Sequence, residues 1–469
     1  MMNGSRINIQ KKEFEYMTED IPRLFGTSGI RGKYQEEVTP ELALDVARAL
    51  AKYIGGEGKK VVIGRDTRTT GKIMENIMSA GLQESGCDVL LLGVVPTPVV
   101  GYAAFKKQAD AGIMITASHN PSPYTGIKLW NNDGLAYKQE QERQIEKMVY
   151  EKDFNQVGWD RLGKEYDISP FKDEYVKDIV KISKIDPSKP LKVIVDCASG
   201  AGSYLSPEAL RKAGMDVITM NAQPDGFFPG RNPEPNEANL QELMKAVKAL
   251  NADVGLAHDG DADRMIAVDE NGNISDFDKL ITIMALEFGG TVVTTVDASA
   301  CLDTAMEKIG GNVLRTPVGD VHVAESMIKN NATFGGEPSG TWLHPDFCMC
   351  PDGLLSGLRI VRAIQVHGKL SEQLDAIENY PTLREKITCS NDKKEEVMKT
   401  VESDFEKEFD NIKEVLAIDG VRLRFEDNSW VLIRPSGTEQ YIRITAEAKT
   451  QDDLDKINEI SQNFLKKLI

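Results

Sequence analysis

A chain of 469 residues is too long for one hydrophobic core and suits three or four domains. Its composition is that of an ordinary soluble globular protein, and a formal net charge of −17 argues against a nucleic-acid or anionic-membrane partner. Six cysteines (Cys87, Cys197, Cys301, Cys348, Cys350 and Cys389) stand mostly alone in apolar segments, which predicts buried thiols in a reducing cytoplasm and no disulfide framework.

The first twenty residues are polar and charged, so no secretory leader is expected. The segment Phe25-Gly26-Thr27-Ser28-Gly29-Ile30-Arg31-Gly32 follows, and then Val61 to Asp66 reads as a strand. The most apolar stretch, Val89 to Phe105, is broken by Gly93, Pro96, Pro98 and Gly101; it predicts strand, turn and helix and cannot span a membrane. Ile113-Met114-Ile115-Thr116-Ala117-Ser118-His119-Asn120-Pro121 is an apolar run stopped by a small polar loop. It predicts a buried strand that delivers the Ser118 hydroxyl at its carboxyl end, where open α/β sheets keep their ligand crevices. The same pattern recurs twice. Val193 to Asp196 and Val292 to Asp297 repeat the β-branched run ending in Asp, and second strands follow at Asp216 to Thr219 and Asn312 to Leu314. Third strands then end at Asp259 and Glu337, as the first unit's ends at Ser118. The last unit differs. Asp419 to Phe425, Ser429 to Ile433 and Ile442 to Ala448 read as antiparallel strands. Asp452 to Leu468 carries Leu454, Ile457, Ile460 and Phe464 at helical spacing, and Asn391 to Asp410 reads as a solvated helix. The expected architecture is three related α/β domains with mixed sheets and a C-terminal α+β domain around a central cleft, with boundaries near 165, 273 and 381.

Four strings carry candidate chemistry. Asp259, Asp261 and Asp263 alternate with small residues after an apolar strand, and three crowded carboxylates repel unless a hard cation holds them. Read as an EF-hand loop, the triplet would reach Glu270 at position twelve, but Arg264 stands where glycine is needed and the flanks look like strands. Glu337 and Ser339 lie in a Gly-flanked loop suited to accepting from, and bonding to, vicinal hydroxyls. Arg434-Pro435-Ser436-Gly437-Thr438-Glu439 joins a cation, two hydroxyls and a glycine that lets backbone N–H groups approach an anion. Ser118 beside His119 suggests a serine hydrolase, yet adjacent residues rarely place the base on the neighbouring hydroxyl and no Gly-x-Ser-x-Gly elbow surrounds it. An alkaline-phosphatase-like site would want several metals with histidine ligands; the chain has five histidines and only His258 adjoins the triplet.

Taken in order from Leu24 to about Lys449, these strings resemble the α-D-phosphohexomutase superfamily of phosphomannomutases, phosphoglucomutases and phosphoglucosamine mutases. The resemblance includes the Phe25 to Gly32 segment and Pro224-Asp225-Gly226 through Pro235. It implies that Ser118 carries the phosphoryl group, and that Ser118, Asp259, Asp261 and Asp263 hold Mg²⁺. It also implies that Arg31, His119 and Lys128 surround the reacting oxygens. Substrate contacts are implied for Arg264, Gly319, Asp320, Glu337, Ser339, Arg434, Ser436, Gly437, Thr438 and Arg443. Three positions depart from the family's pattern: His258 where an aromatic is usual, Thr125 where Asn is commoner, and Gln440 in place of Pro. Val318-Gly319-Asp320 and Ser436-Gly437-Thr438 lean toward the phosphoglucosamine branch.

The expected activity is therefore an intramolecular phosphotransfer. A hexose 6-phosphate and its 1-phosphate interconvert through phosphorylated Ser118 and a sugar 1,6-bisphosphate, with glucosamine phosphate preferred over mannose or glucose phosphate. The partner is a small phosphosugar, with no nucleic acid and no membrane, and the residues leave the oligomeric state open. A non-catalytic sugar-phosphate binder is the rival from another class; a mere binder needs no metal-carboxylate cage.

Overall fold

The computed structural model describes residues 22–436 and 440–469. The first sheet contains β1 (Ile30–Lys33), β2 (Lys60–Arg65), β3 (Asp88–Val94), β4 (Ala111–Ile115), β5 (Tyr124–Asn131) and β6 (Glu165–Asp167), in the order β1-β5-β4-β2-β3-β6. The second is β7 (Lys192–Asp196), β8 (Asp216–Met220), β9 (Val254–His258) and β10 (Met265–Val268), ordered β10-β9-β7-β8. The third is β11 (Thr291–Thr295), β12 (Asn312–Thr316), β13 (Phe334–Gly336) and β14 (Trp342–Leu343), ordered β12-β11-β13-β14. All three share one plan. The first strand of the unit lies parallel between the second and third, and a fourth turns back antiparallel on the third. That is the repeat read from the sequence, with Ser118, Asp259 and Glu337 one to three residues past the end of the third strand of each unit.

Local sequence explains the helices that cover these sheets. In Pro40–Ile54, the Thr39 hydroxyl accepts from Leu42 N–H, Pro40 opens the first turn, and Gly55 closes the helix at φ +103°. Ala43, Val46, Ala47 and Leu50 then fall on one buried stripe. Val89 to Phe105 resolves as β3 and the helix Thr97–Lys106, as its glycines and prolines imply. Among the described residues no helix is long and apolar enough to cross a membrane. All six cysteines are buried and free.

The fourth sheet contains β15 (Thr382–Thr388), β16 (Ile412–Leu416), β17 (Val421–Phe425), β18 (Trp430–Pro435) and β19 (Tyr441–Glu447), all antiparallel in the order β15-β19-β18-β17-β16. The two edge strands, β15 and β16, are additions to the three expected from sequence. The helices Asn391–Asp404 and Gln451–Leu468 pack against it through Val397, Val401, Leu454, Ile457 and Phe464. This unit has its own core, but Trp430 joins the large core of the other three. Its indole N–H donates to Glu447 Oε2 (2.9 Å), which also accepts from Ser299 Oγ and Ala300 N at the start of a helix in the third unit. Those bonds seat the fourth unit on the third.

Candidate active site

Ser118 follows β4 in a left-handed conformation, φ +49°, that a non-glycine residue adopts only when its surroundings impose it. The surroundings are specific. Ser118 N–H donates to Thr116 Oγ1 (2.8 Å), and Thr116 Oγ1 donates in turn to Asp66 Oδ2 (2.7 Å). Buried Arg68 pairs with Asp66 at 3.0 Å and gives its terminal nitrogens to the carbonyls of Ser118, Asn120, Pro121 and Tyr124. One guanidinium thus ties down the whole serine loop. Sequence reading passed over Arg68, Thr116 and Thr97; the signal was Asp66-Thr67-Arg68 at the end of a strand already marked for its terminal Asp.

The hydroxyl points across a domain boundary: Ser118 Oγ donates to Asp259 Oδ2 at 2.6 Å. Asp259, Asp261 and Asp263 are buried, with one carboxylate oxygen from each lying within 4.8 Å of the others. Close backbone approach makes this possible. A Cβ on Gly260 would sit 2.5 Å from the Ser118 carbonyl oxygen, so the residue between the first two aspartates must be glycine. Burial, then repulsion from Asp261 and Asp263, pushes the Asp259 carboxyl well above the usual range. Burial acts in the same sense on Asp261, but Lys128 and the hydrogen bonds of Thr97 and Lys128 outweigh it and hold that carboxylate low. Lys128 Nζ lies 2.9 Å from Asp261 Oδ2 and 2.7 Å from Asp263 Oδ2, while Thr97 Oγ1 donates to Asp261 Oδ2 at 2.6 Å. Asp261 Oδ1 and Asp263 Oδ1 remain buried with no hydrogen-bond partner. Two orphaned carboxylate oxygens beside a third carboxyl driven toward protonation are a deficit of positive charge, and hard oxygen donors fit a divalent cation.

The EF-hand alternative fails here. Strands β9 and β10 flank the triplet, and Glu270 bonds instead to Ser371 Oγ (2.5 Å). His258 is no ligand either: its ring nitrogens contact Ser206 Oγ (2.8 Å) and the Arg264 carbonyl (3.0 Å). Burial lowers its pKa to about 4, which suits a neutral ring in the place of an aromatic one.

Three cations and a histidine crowd the same point. Desolvation works to lower the Lys128 pKa, but Asp261 and Asp263 reverse this and hold it above an ordinary lysine. Arg31 donates to Ser28 Oγ (3.1 Å), and burial lowers its pKa against the pull of Asp261 and Asp263. For Arg264 burial loses to Asp259 and Asp263, and its guanidinium is held charged. His119 Nδ1 is 3.4 Å from Ser118 Oγ. Burial, Arg264 and Arg31 together drop its pKa to about 3, so the imidazole is neutral. Its Nε2 and Arg264 Nη1 both face Glu234, at 3.5 Å and 3.7 Å.

The third unit brings two loops to this cleft. Glu337 Oε1 accepts from Gly319 N–H (2.9 Å), and Ser339 Oγ meets Thr341 Oγ1 (3.1 Å). Burial and then Asp320 raise Glu337 to about 7. Asp320 is itself raised by burial, with Lys128, Asp263 and Arg31 among the charges that act on it. On the fourth unit, Arg434 and Arg443 are direct partners across β18 and β19. Opposite residues on paired antiparallel strands share a face, and like charges there destabilise the sheet unless an anion joins them. Arg434 Nε lies 3.0 Å from Asp419 Oδ2, and Arg443 Nη2 donates to Tyr441 OH (3.1 Å). Ser436 N–H donates to the Tyr441 carbonyl and Ser436 O accepts from Lys394. Gly437 and Thr438 lie outside the described residues.

A hydroxyl aimed at a buried carboxylate cage, with cations round it and three further units closing on the same cleft, defines an enzyme of the phosphosugar mutase class. The chain belongs to the phosphoglucomutase/phosphomannomutase family. It matches that family's alpha/beta/alpha domain I over residues 22–156, domain II over 173–272, domain III over 276–380 and the C-terminal domain over 385–460. It is 80% identical over 451 residues to the probable phosphoglucosamine mutase of Methanosphaera stadtmanae, covering 96% of this chain and 100% of that one. To the phosphoglucosamine mutase of Methanococcus maripaludis strain S2 it is 46% identical over 454 residues, 95% of this chain and 98% of the relative. A solved phosphoglucomutase/phosphomannomutase family protein from Burkholderia thailandensis superposes with a TM-score of 0.85 at 27% identity, over 95% of this chain and 97% of that one.

Proposed function

We propose that this enzyme converts glucosamine 6-phosphate to glucosamine 1-phosphate, and the reverse, through phosphorylated Ser118. The observation that carries the reading is the 2.6 Å contact of Ser118 Oγ with Asp259, next to the orphaned oxygens of Asp261 and Asp263. The cage, with Ser118, would hold Mg²⁺. When bound, Mg²⁺ would offset the negative charge that gathers on the transferred phosphoryl oxygens.

The chain's own residues then have distinct tasks. A sugar hydroxyl attacks the phosphorus of phosphoserine, the P–Oγ bond breaks, and a sugar 1,6-bisphosphate forms while Ser118 Oγ recovers a proton. After the sugar turns over in the cleft, Ser118 Oγ takes the other phosphoryl group back. Arg31, Lys128 and Arg264 balance the charge, and Lys128, held protonated by Asp261 and Asp263, serves as cation and proton donor. His119, neutral beside Ser118 Oγ, can accept or pass a proton at Nδ1. Glu337 and Ser339 take the sugar's hydroxyls, with Gly319 and Asp320 in the neighbouring loop. Arg434, Ser436, Gly437, Thr438 and Arg443 hold the phosphate that is not reacting; the facing pair Arg434 and Arg443 supports that assignment. The four domains divide near 165, 273 and 381. The enzyme works in a reducing cytoplasm, where its six buried thiols stay reduced.

Two features favour glucosamine phosphate: the Val318-Gly319-Asp320 and Ser436-Gly437-Thr438 strings, and relatives of 80% and 46% identity bearing that name. The test is a panel of hexosamine and hexose 1- and 6-phosphates assayed with Mg²⁺ and a trace of sugar bisphosphate. Catalytic efficiency should be highest on glucosamine phosphate; a clear preference for mannose or glucose phosphate would reverse the substrate and leave the chemistry standing.

A further inference from the structure

The phosphate clamp and the sugar loop belong to different domains, yet one carboxylate touches both. Asp419 Oδ2 lies 3.0 Å from Arg434 Nε and accepts from the backbone N–H of Val318 at 3.3 Å. The next residue of that loop, Gly319, gives its own N–H to Glu337 Oε1 at 2.9 Å. Two consecutive peptide N–H groups are thus held by two carboxylates, one from the sugar-binding strand end and one from the fourth unit.

The backbone is built for this placement. Asp419 precedes Gly420, whose φ of +86° favours glycine, and a Cβ there would fall 2.9 Å from Arg434 Cα and nearer still to the Ile433 carbonyl. The hairpin therefore closes tightly enough to bring the Asp419 carboxylate onto Arg434. The contact at Nε is an ion pair rather than a hydrogen bond, and it holds the guanidinium beside Asp419 while its two terminal nitrogens remain the natural fork for a phosphate.

We infer that Asp419 is a positioning residue that sets the phosphate clamp and the sugar loop to the span of one sugar phosphate. This rests on the assignment of Arg434 to the non-reacting phosphate. Asp419 touches no reacting atom. It orients Arg434 on one side and pins the Val318-Gly319 backbone on the other, so that domain IV can grip the phosphate only in register with the hydroxyl-binding loop.

The experiment compares Asp419→Asn, Asp419→Glu, Arg434→Ala and the double variant Asp419→Asn/Arg434→Ala. It reads kcat and KM for the sugar phosphate turned over, with Ki for inorganic phosphate and the melting temperature. Asp419→Asn keeps the size and shape of the side chain and loses its charge. It should raise KM about three- to tenfold with kcat within about twofold, because the pair is partly exposed and its contribution modest. Ki for inorganic phosphate should rise less than KM, since phosphate alone does not engage the sugar loop. Asp419→Glu should recover part of the loss. Added to Arg434→Ala, the Asp419→Asn change should worsen KM by no more than about twofold. Wild-type KM in Asp419→Asn, or the same full loss on top of Arg434→Ala, would overturn the inference; so would equal shifts in KM and Ki. Arg434→Ala separates the two claims. It should cost about ten- to a hundredfold in efficiency. If it costs nothing, the phosphate assignment fails; if it does and Asp419→Asn does not, only the positioning role fails.

Discussion

At Ser118 a strained backbone, a 2.6 Å bond to Asp259 and a neutral imidazole occupy one point of the chain. Removing the hydroxyl with Ser118→Ala should leave the fold intact and lower turnover by several orders of magnitude, measured on protein freed of contaminating mutase. The serine and its aspartates were legible because each sits in a short string whose residue types already imply the chemistry. Arg68 was legible only as a neighbour of Asp66; its hold on the serine loop was not, because those partners are carbonyls some fifty positions away and carbonyls carry no sequence signature. Replacing Arg68 with Ala strands the Asp66 carboxylate and four carbonyls, which should destabilise the protein by about 3–5 kcal/mol and depress kcat; chemical denaturation and kinetics check both. Glu337 supplies a pH test. Its folded pKa of about 7 lies above the ordinary glutamate value of 4.5, so the folded form binds the proton more tightly. The stability gained from that proton is complete below pH 4.5 and is lost as pH rises through 7. Glu337→Gln should therefore raise the melting temperature at pH 8 relative to the parent and leave it nearly unchanged at pH 5, as read by thermal unfolding at the two values.

Ser118, the aspartates and Glu337 sit just past strand ends, and the threefold repeat explains why. Each unit offers one loop at the carboxyl end of its third strand, β4, β9 or β13, and each such strand is covered on its outer side by an antiparallel neighbour. Apolar runs ending in Asp made this repeat readable. The edge strands β15 and β16 were not readable: Thr382–Thr388 alternates exposed and half-buried residues and carries Arg384, Glu385 and Lys386, a pattern shared with solvated loops. Only pairing with β19 on one side makes it a strand. Element packing also yields a test at Gly126, in β5 between β1 and β4. A Cβ there would fall 2.6 Å from the Thr116 carbonyl oxygen and closer to that of Ile30. Gly126→Ala should push β5 away from the serine loop, cost about 1–3 kcal/mol by denaturant unfolding, and reduce activity at a site it does not touch.

Across the whole molecule, loops of the four units meet around the serine and its aspartates; if Ser118 carries the phosphoryl group, water must be kept from that cleft, because it would hydrolyse phosphoserine. With a net charge of −17, anion binding must fall on a few local cations: Arg31, Lys128 and Arg264 gather round the aspartates from two units, and Arg434 faces Arg443 on the fourth. If the aspartate cage holds Mg²⁺, a chelator should abolish activity and Mg²⁺ should restore it. Saturating Mg²⁺ at about a hundred times its Kd should add roughly 2.7 kcal/mol of stability, visible as a higher melting temperature that Asp261→Asn reduces. The most direct measurement is intact mass of the protein after incubation with a sugar 1,6-bisphosphate and Mg²⁺. Phosphotransfer through Ser118 requires a species heavier by one phosphate, mapped to Ser118, absent from Ser118→Ala, and returned to the unmodified mass as sugar monophosphate is converted to bisphosphate. An unmodified protein that turns over normally, or a phosphate that persists in Ser118→Ala, would contradict it.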